Sequence, residues 1–234
     1  MFLPLYDAHP VRHVSHPYVC HGIIALNVIV FLAMKAGWLF GGEDETAVSL
    51  GFIPAVFFGS AVLPADFDYL PSSLTIVSSM FVHAGWMHLL GNMMFLWVFG
   101  DNVEDDIGHI GFLIFYLACG IVAALAHGFA QPEAESPMVG ASGAIAGVIG
   151  AYVMLHPRVR VWVLVMMRIP LRITAAWMIA AWLLFQLFNA IMLPDEAVAW
   201  WAHIGGFLAG VVLIGAFKRR GVTYFDRGAP PSPA

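Results

Sequence analysis

The chain has 234 residues, of which 61% are hydrophobic and only 11% charged, with a mean hydropathy of +0.84 and a formal net charge of −5. Soluble domains carry about 25% charged residues, so this composition excludes an ordinary soluble enzyme and points to a membrane protein. Cys20 and Cys119 lie in or beside apolar runs, which excludes a disulfide framework or a CxxC site.

The first 18 residues are polar and rich in Pro and His. No basic stretch precedes a short apolar core there, so no cleavable signal is expected and the first apolar segment is read as a retained anchor. Six stretches reach roughly the 20 residues that a span needs: 21–41, 76–99, 109–130, 138–155, 173–193 and 198–217. They predict an all-α membrane protein, a six-helix transmembrane bundle over 21–217 in contact with the lipid bilayer. A segment 1–20 precedes it and a tail 218–234 follows, whose Pro, Gly and Ser content predicts disorder from 221 onward.

Segment one is an ordinary lipid-facing helix, with Lys35 near its end placed to snorkel towards the interface. Segment two carries His83, His88 and Asn92 inside an otherwise apolar span. Two apolar pieces are too short to span. Residues 50–63, broken by Pro54 and Gly59, suit an interfacial or re-entrant part of the first loop, and 161–167, between Arg160 and Arg168, suits the membrane surface. No internal repeat of the kind that marks transporters is visible.

The cations set the orientation. Arg12 precedes segment one, Arg158, Arg160, Arg168 and Arg172 lie between segments four and five, and Lys218, Arg219, Arg220 and Arg227 follow segment six. The loops after segments one, three and five hold acidic residues and no Lys or Arg. The positive-inside rule therefore predicts that both termini are cytoplasmic, which six crossings allow.

Segment four contains VGASGAIAGVIG at 139–150, a run of small residues around a single hydroxyl, Ser142. Gly143 and Gly147 stand four apart, a spacing that lets a second helix backbone approach closely. Alone, Ser142 reads as a packing residue, and Ala144 breaks the G-x-S-x-G hydrolase spelling. The orientation adds a test of depth. Segment four starts from the outer side, so Ser142 lies about one turn below the rim. Segment six starts from the same side and brings His203 to matching depth, with Gly206 and Gly210 on the face below it. Two glycine strips packed together would bring the hydroxyl and the imidazole within hydrogen-bonding reach.

His88 and Asn92 lie one turn apart on segment two, and an imidazole and an amide are good donors to a developing oxyanion. His83, on another phase and nearer the outer water, reads as a support or solvent-network residue. A set of two histidines and an asparagine also suits a metal, but the metalloprotease spelling needs a Glu beside the first His, and residues 88–92 supply none. No paired Asp on facing spans supports an aspartyl mechanism, and no chain of intramembrane carboxylates supports a proton-coupled transporter. Four polar side chains on three spans favour nucleophilic catalysis.

These residues resemble the rhomboid family of intramembrane serine proteases, in its compact six-span bacterial form. Three motifs match in order: HLLGNMMF at 88–95, GASGAIAG at 140–147 and AHIGGFLAG at 202–210, on the second, fourth and sixth spans. The resemblance covers about 21–217. It implies Ser142 as nucleophile and His203 as general base, with Asn92, His88 and the Ser142 N–H as oxyanion donors. It makes Gly140, Gly206 and Gly210 motif positions and gives Glu104 the structural task of tying the cytoplasmic end of segment two into neighbouring loops, with Gly108 as a close-packing position. It implies transmembrane protein substrates with small or helix-breaking residues near the cleavage point. It also implies substrate entry on the side of Trp182, Phe185 and Phe188, with no metal or organic cofactor needed. The compact six-span layout, without a transit peptide or an additional span, points to a bacterial inner membrane, and no nucleic-acid partner is expected.

Two departures stand out. Some members carry a Tyr that stacks on the catalytic His where this chain has Ala146, so Trp200, Trp201 or another packed group must orient His203. The Trp-Arg pair of many members' first loop is missing. The competing reading is a catalytically silent rhomboid-like protein that binds membrane clients, and the presence of both Ser142 and His203 weighs against it.

Overall fold

In the computed structural model the described residues are 2–7, 9–166, 168–192 and 198–226. The chain opens not on a helix but on a strand, β1 (Phe2–Asp7), followed by α1 (Tyr18–Lys35). The first loop holds α2 (Glu43–Leu50) and α3 (Pro54–Phe58), and Phe52 forms an isolated bridge with Met138, so the apolar piece 50–63 folds against the entry to segment four. Lys35 pairs with Glu43 at 2.6 Å across the start of this loop.

Segment two is not one helix. It is split into α4 (Ser72–Ser78) with a 3-10 turn to Phe81, and α5 (Trp86–Ile107), bent by 81° at the break. At the break the Ser79 carbonyl keeps a long bond from the Val82 N–H at 3.4 Å and accepts the Gly140 N–H at 2.8 Å, a tertiary bond where the helix no longer supplies a regular one. The turn at Gly108 (φ +80°) starts α6 (His109–Ala130) immediately after α5. That backbone angle favours glycine, and the Arg219 guanidinium packs close by, 2.9 Å from where a Cβ would stand.

Segment four becomes helical only at Ser142. The preceding Gly140 has φ +120°, which ends the loop sharply, and α7 (Ser142–Leu155) is the central helix, buried from Gly143 to Tyr152. Its 14 residues rise about 21 Å, less than the ~30 Å of a bilayer's hydrocarbon. Around it pack α5, α6 and α9 (Trp200–Phe217), and α8 (Ala175–Met192) lies outside, against α9. The helices α1, α6, α8 and α9 are long and apolar enough to cross a membrane, and α4 with α5 qualifies as one broken span.

The all-α expectation needs a correction at one end. The apolar piece that starts at 161 is not helical: β2 (Arg160–Val165) and β3 (Ile169–Thr174) form a hairpin, and β1 pairs antiparallel with β2. Val161 and Val163 are fully buried while Arg160 and Trp162 face outward. The period of two is hidden because Trp162 and Leu164 keep the run apolar on both faces. The start of the tail, expected to be disordered, is pinned instead: the Phe225 and Asp226 N–H groups donate to the Met154 and Leu155 carbonyls at the end of α7. Residues 227–234, Arg227 among them, lie outside the described residues.

Candidate active site

Ser142 is the first residue of α7, where backbone N–H groups have no partner one turn back. His203 stands one turn into α9. What brings them together is glycine. A Cβ on Gly206 or Gly210 would collide with the Gly143 or Gly147 carbonyl, and one on Gly150 with that of Phe207. The two backbones touch along a strip where no side chain fits, and the polar residues at its upper end meet. His203 Nε2 lies 2.8 Å from Ser142 Oγ.

The other ring nitrogen, Nδ1, lies 2.8 Å from Oε1 of Gln186 on α8. Gln186 is buried (4% exposed) in an apolar helix. Trp182 and Trp200 flank the imidazole, each with its ring centroid 6.1 Å from that of His203, Trp200 edge-on. Ala146 is wholly buried in the core. Of the groups expected to orient His203, Trp200 makes a ring contact, and Gln186, which the sequence did not single out, makes the hydrogen bond.

His88 and Asn92 face the loop that delivers Ser142. A Cβ on Gly140 would stand 2.7 Å from two His88 ring atoms and 3.6 Å from Asn92 Nδ2. Gly140 thus lets these donors close on the backbone just before the serine. Asn92 is buried and its Nδ2 has no protein partner. His83 sits in the break between α4 and α5, fully buried, its ring edge-on to His88 at 5.2 Å between centroids. That contact makes it a packing support for His88. An open cavity of about 910 Å³ lies over the site, lined by Ser142, His203, His88 and Gly140. His127 of α6 lines it as well, almost buried with Nδ1 unpaired. Both residues that the sequence reasoning missed, Gln186 and His127, are polar groups in apolar spans, and that is the signal that could have found them.

The opposite end of α7 holds a different polar cluster. Glu104 is fully buried and accepts the Val19 N–H, the Cys20 N–H and His109 Nδ1–H, capping α1. Asp105 accepts three successive N–H groups, those of Arg12, His13 and Val14, and Asp106 accepts from His156 Nε2. Asp7 of β1 accepts from the Tyr152 hydroxyl and Asn102 Nδ2. Buried carboxylates therefore exist, at the end of α5 remote from Ser142. Among the described residues, two groups have the spacing to hold a cation, His9–His156–Asp226 and His13–Asp105–Asp106. Both lie at this end.

Comparison with known proteins adds the lineage. A family model described as the rhomboid domain matches residues 71–220, from the start of α4 to just past α9. Rhomboid-like protein 11, chloroplastic, of Arabidopsis thaliana is 32% identical over 149 residues, covering 62% of this chain and 52% of the relative. Rhomboid protein 1, mitochondrial, of Saccharomyces cerevisiae is 31% identical over 154 residues, 62% of this chain and 42% of the relative. Rhomboid protease GluP of Bacillus subtilis is 33% identical over 144 residues, 61% of this chain and 26% of the relative. The chain thus spans about half or less of the length of these relatives. Two of the three names are organellar, so the likeness gives no support to the expected bacterial inner membrane or to a specifically bacterial form. With the match running over more than half of its length and across every helix of the site, this multi-pass membrane protein belongs to the rhomboid family.

Proposed function

We propose that the protein is an intramembrane serine endopeptidase acting through a Ser142–His203 dyad. The observation that carries the reading is the 2.8 Å approach of His203 Nε2 to Ser142 Oγ at the floor of an open cavity. His203 takes the hydroxyl proton as Ser142 attacks a peptide carbonyl in or near a substrate's transmembrane segment, and then returns it to the leaving amine. The Asn92 amide, His88 and the Ser142 N–H converge on the developing oxyanion, where a low dielectric strengthens each donor. Water entering through the cavity releases the acyl-enzyme. No metal or organic cofactor enters these steps.

The same reading takes the chain across the bilayer six times, with α7 as the short central crossing and both termini on the cytoplasmic side where the cations collect. Ser142 then lies below the outer surface, and its substrates are membrane proteins whose helices unwind at small or helix-breaking residues. Trp182, Phe185 and Phe188 of α8 line the side of entry.

The test uses purified protein in detergent, a fluorophosphonate serine probe and a model transmembrane substrate. Wild type is expected to label and to cleave, and Ser142→Ala and His203→Ala to do neither. Folded wild type that neither labels nor shows Ser142-dependent cleavage would overturn the reading in favour of a client-binding relative without catalysis.

A further inference from the structure

The environment of Gln186 has no counterpart elsewhere in α8. Its neighbour Asn189 satisfies its amide on its own helix, donating Nδ2–H to the Phe185 carbonyl one turn back at 2.7 Å. Gln186 reaches across to α9 and ends on His203 Nδ1. The seam around it is aromatic: Trp182 lies against His203 and Phe207, with centroids 6.1 and 6.5 Å apart, and Phe185 lies edge-on to Trp200 at 5.9 Å. A buried amide in such a seam is costly unless paired. An apolar residue would pack there at no such cost, so the amide needs another reason.

The pairing has a consequence for the proton. Oε1 is an acceptor only, so an imidazole bonded to it carries its proton on Nδ1 and leaves the Nε2 lone pair facing the Ser142 hydroxyl. The opposite tautomer points an N–H at Ser142 and cannot take its proton. We propose that Gln186 is the positioning residue of the dyad: through Oε1 it holds the His203 proton on Nδ1 and aims Nε2 at Ser142. No ring from α7 can do this, because Ala146 offers only a buried methyl. The catalytic part of this inference rests on the protease reading; the tautomer itself does not.

Two measurements keep the readings apart. The first is 15N NMR of histidine-labelled protein in nanodiscs, with His203→Ala assigning the signal. Wild type is expected to show Nδ1–H. Gln186→Met, close in volume and without an acceptor, is expected to mix the tautomers. Gln186→Glu, which keeps an acceptor, is expected to restore Nδ1–H. The second is turnover of a transmembrane substrate by the same proteins: Gln186→Met should lower kcat by about 10²-fold and leave KM within about twofold, with Gln186→Glu recovering most of the loss. An Nε2–H imidazole in wild type, or a Met variant with unchanged tautomer and kcat, overturns the proposal. If wild type shows Gln186-dependent Nδ1–H but no Ser142-dependent turnover, the positioning stands and the protease reading falls.

Discussion

The two ends of α7 are both built from buried polar groups, and they use them differently. At the Leu155 end Glu104, Asp105, Asp106 and Asp7 all accept from donors on other elements, several of them from backbone N–H groups. These bonds lock the N-terminal segment, α1, α5 and the end of α7 together. Each end leaves some capacity over, Asn102 Oδ1 and His156 Nδ1 at the first, Asn92 Nδ2 and His127 Nδ1 at the Ser142 end, but the Ser142 end opens onto a cavity that His127 lines. Buried groups with spare donors are poor at stabilising a fold and suited to meeting a charge that appears during a reaction. One end holds the bundle closed so that the other can stay unfilled.

That contrast can be broken from either side. The largest effect is expected from Glu104→Ala, which strands the Val19 and Cys20 N–H groups in the interior. Thermal or denaturant unfolding in detergent should show a loss of about 3–5 kcal/mol, while activity per folded molecule is unchanged. Asn92→Ala should do the reverse. Its cleavage rate should fall by about 10²–10³-fold, with little change in unfolding. A stability loss at Asn92 comparable to that at Glu104 would sink the distinction.

Gly210→Ala probes the strip that joins the serine and histidine helices. A methyl there meets the Gly147 carbonyl, so a loss of about 1–3 kcal/mol is expected, accompanied by weaker probe labelling as the helices part. Labelling that survives intact would mean that the dyad does not depend on this close approach.

A smaller effect is expected from pH at the Leu155 end. Burial, and then the neighbouring His156, push His9 down from 6.5 to about 4. Unfolded chains therefore take up a proton between those values that the folded protein refuses, so stability contributed by neutral His9 is present above pH 6.5 and lost as pH falls towards 4. Burial pushes the Asp7 carboxyl up, which acts in the opposite sense, with stability lost as pH rises above its ordinary 3.8. Comparing the melting temperature of wild type and His9→Asn across this range isolates the first contribution, and identical pH slopes would refute it. Least of all is expected from Lys35→Met, since the partly exposed Lys35–Glu43 pair contributes at most about 1 kcal/mol.

Much of the site is legible in the order of the residues. Ser142, His203, Gly206 and Gly210 stand out because the positive-inside pattern predicts a direction, the direction predicts matching depths, and four-residue glycine spacing marks a face. His88 and Asn92 follow from the same helical period. Gln186 and His127 carry no such mark, because one polar residue in an apolar span says nothing of what it touches, and the Gln186 partner lies on another helix. The sheet escapes for a different reason. β1 is a strand only because β2 supplies its hydrogen bonds, from more than 150 residues along the chain, and such pairing leaves little trace in either segment alone.

The sequence by itself determined that the chain lives in a membrane, which segments are apolar enough to enter it, and which hydroxyl and imidazole share a depth. These are properties of local composition and helical period. Tertiary structure decided where segment two breaks, that α7 starts only at Ser142, and that an amide on α8 faces His203. Each of these depends on bonds between distant residues: Ser79 to Gly140, α7 to α9 through glycine, Gln186 to the imidazole. A backbone group freed from a helix must find its partner across space, and only the folded chain specifies which one.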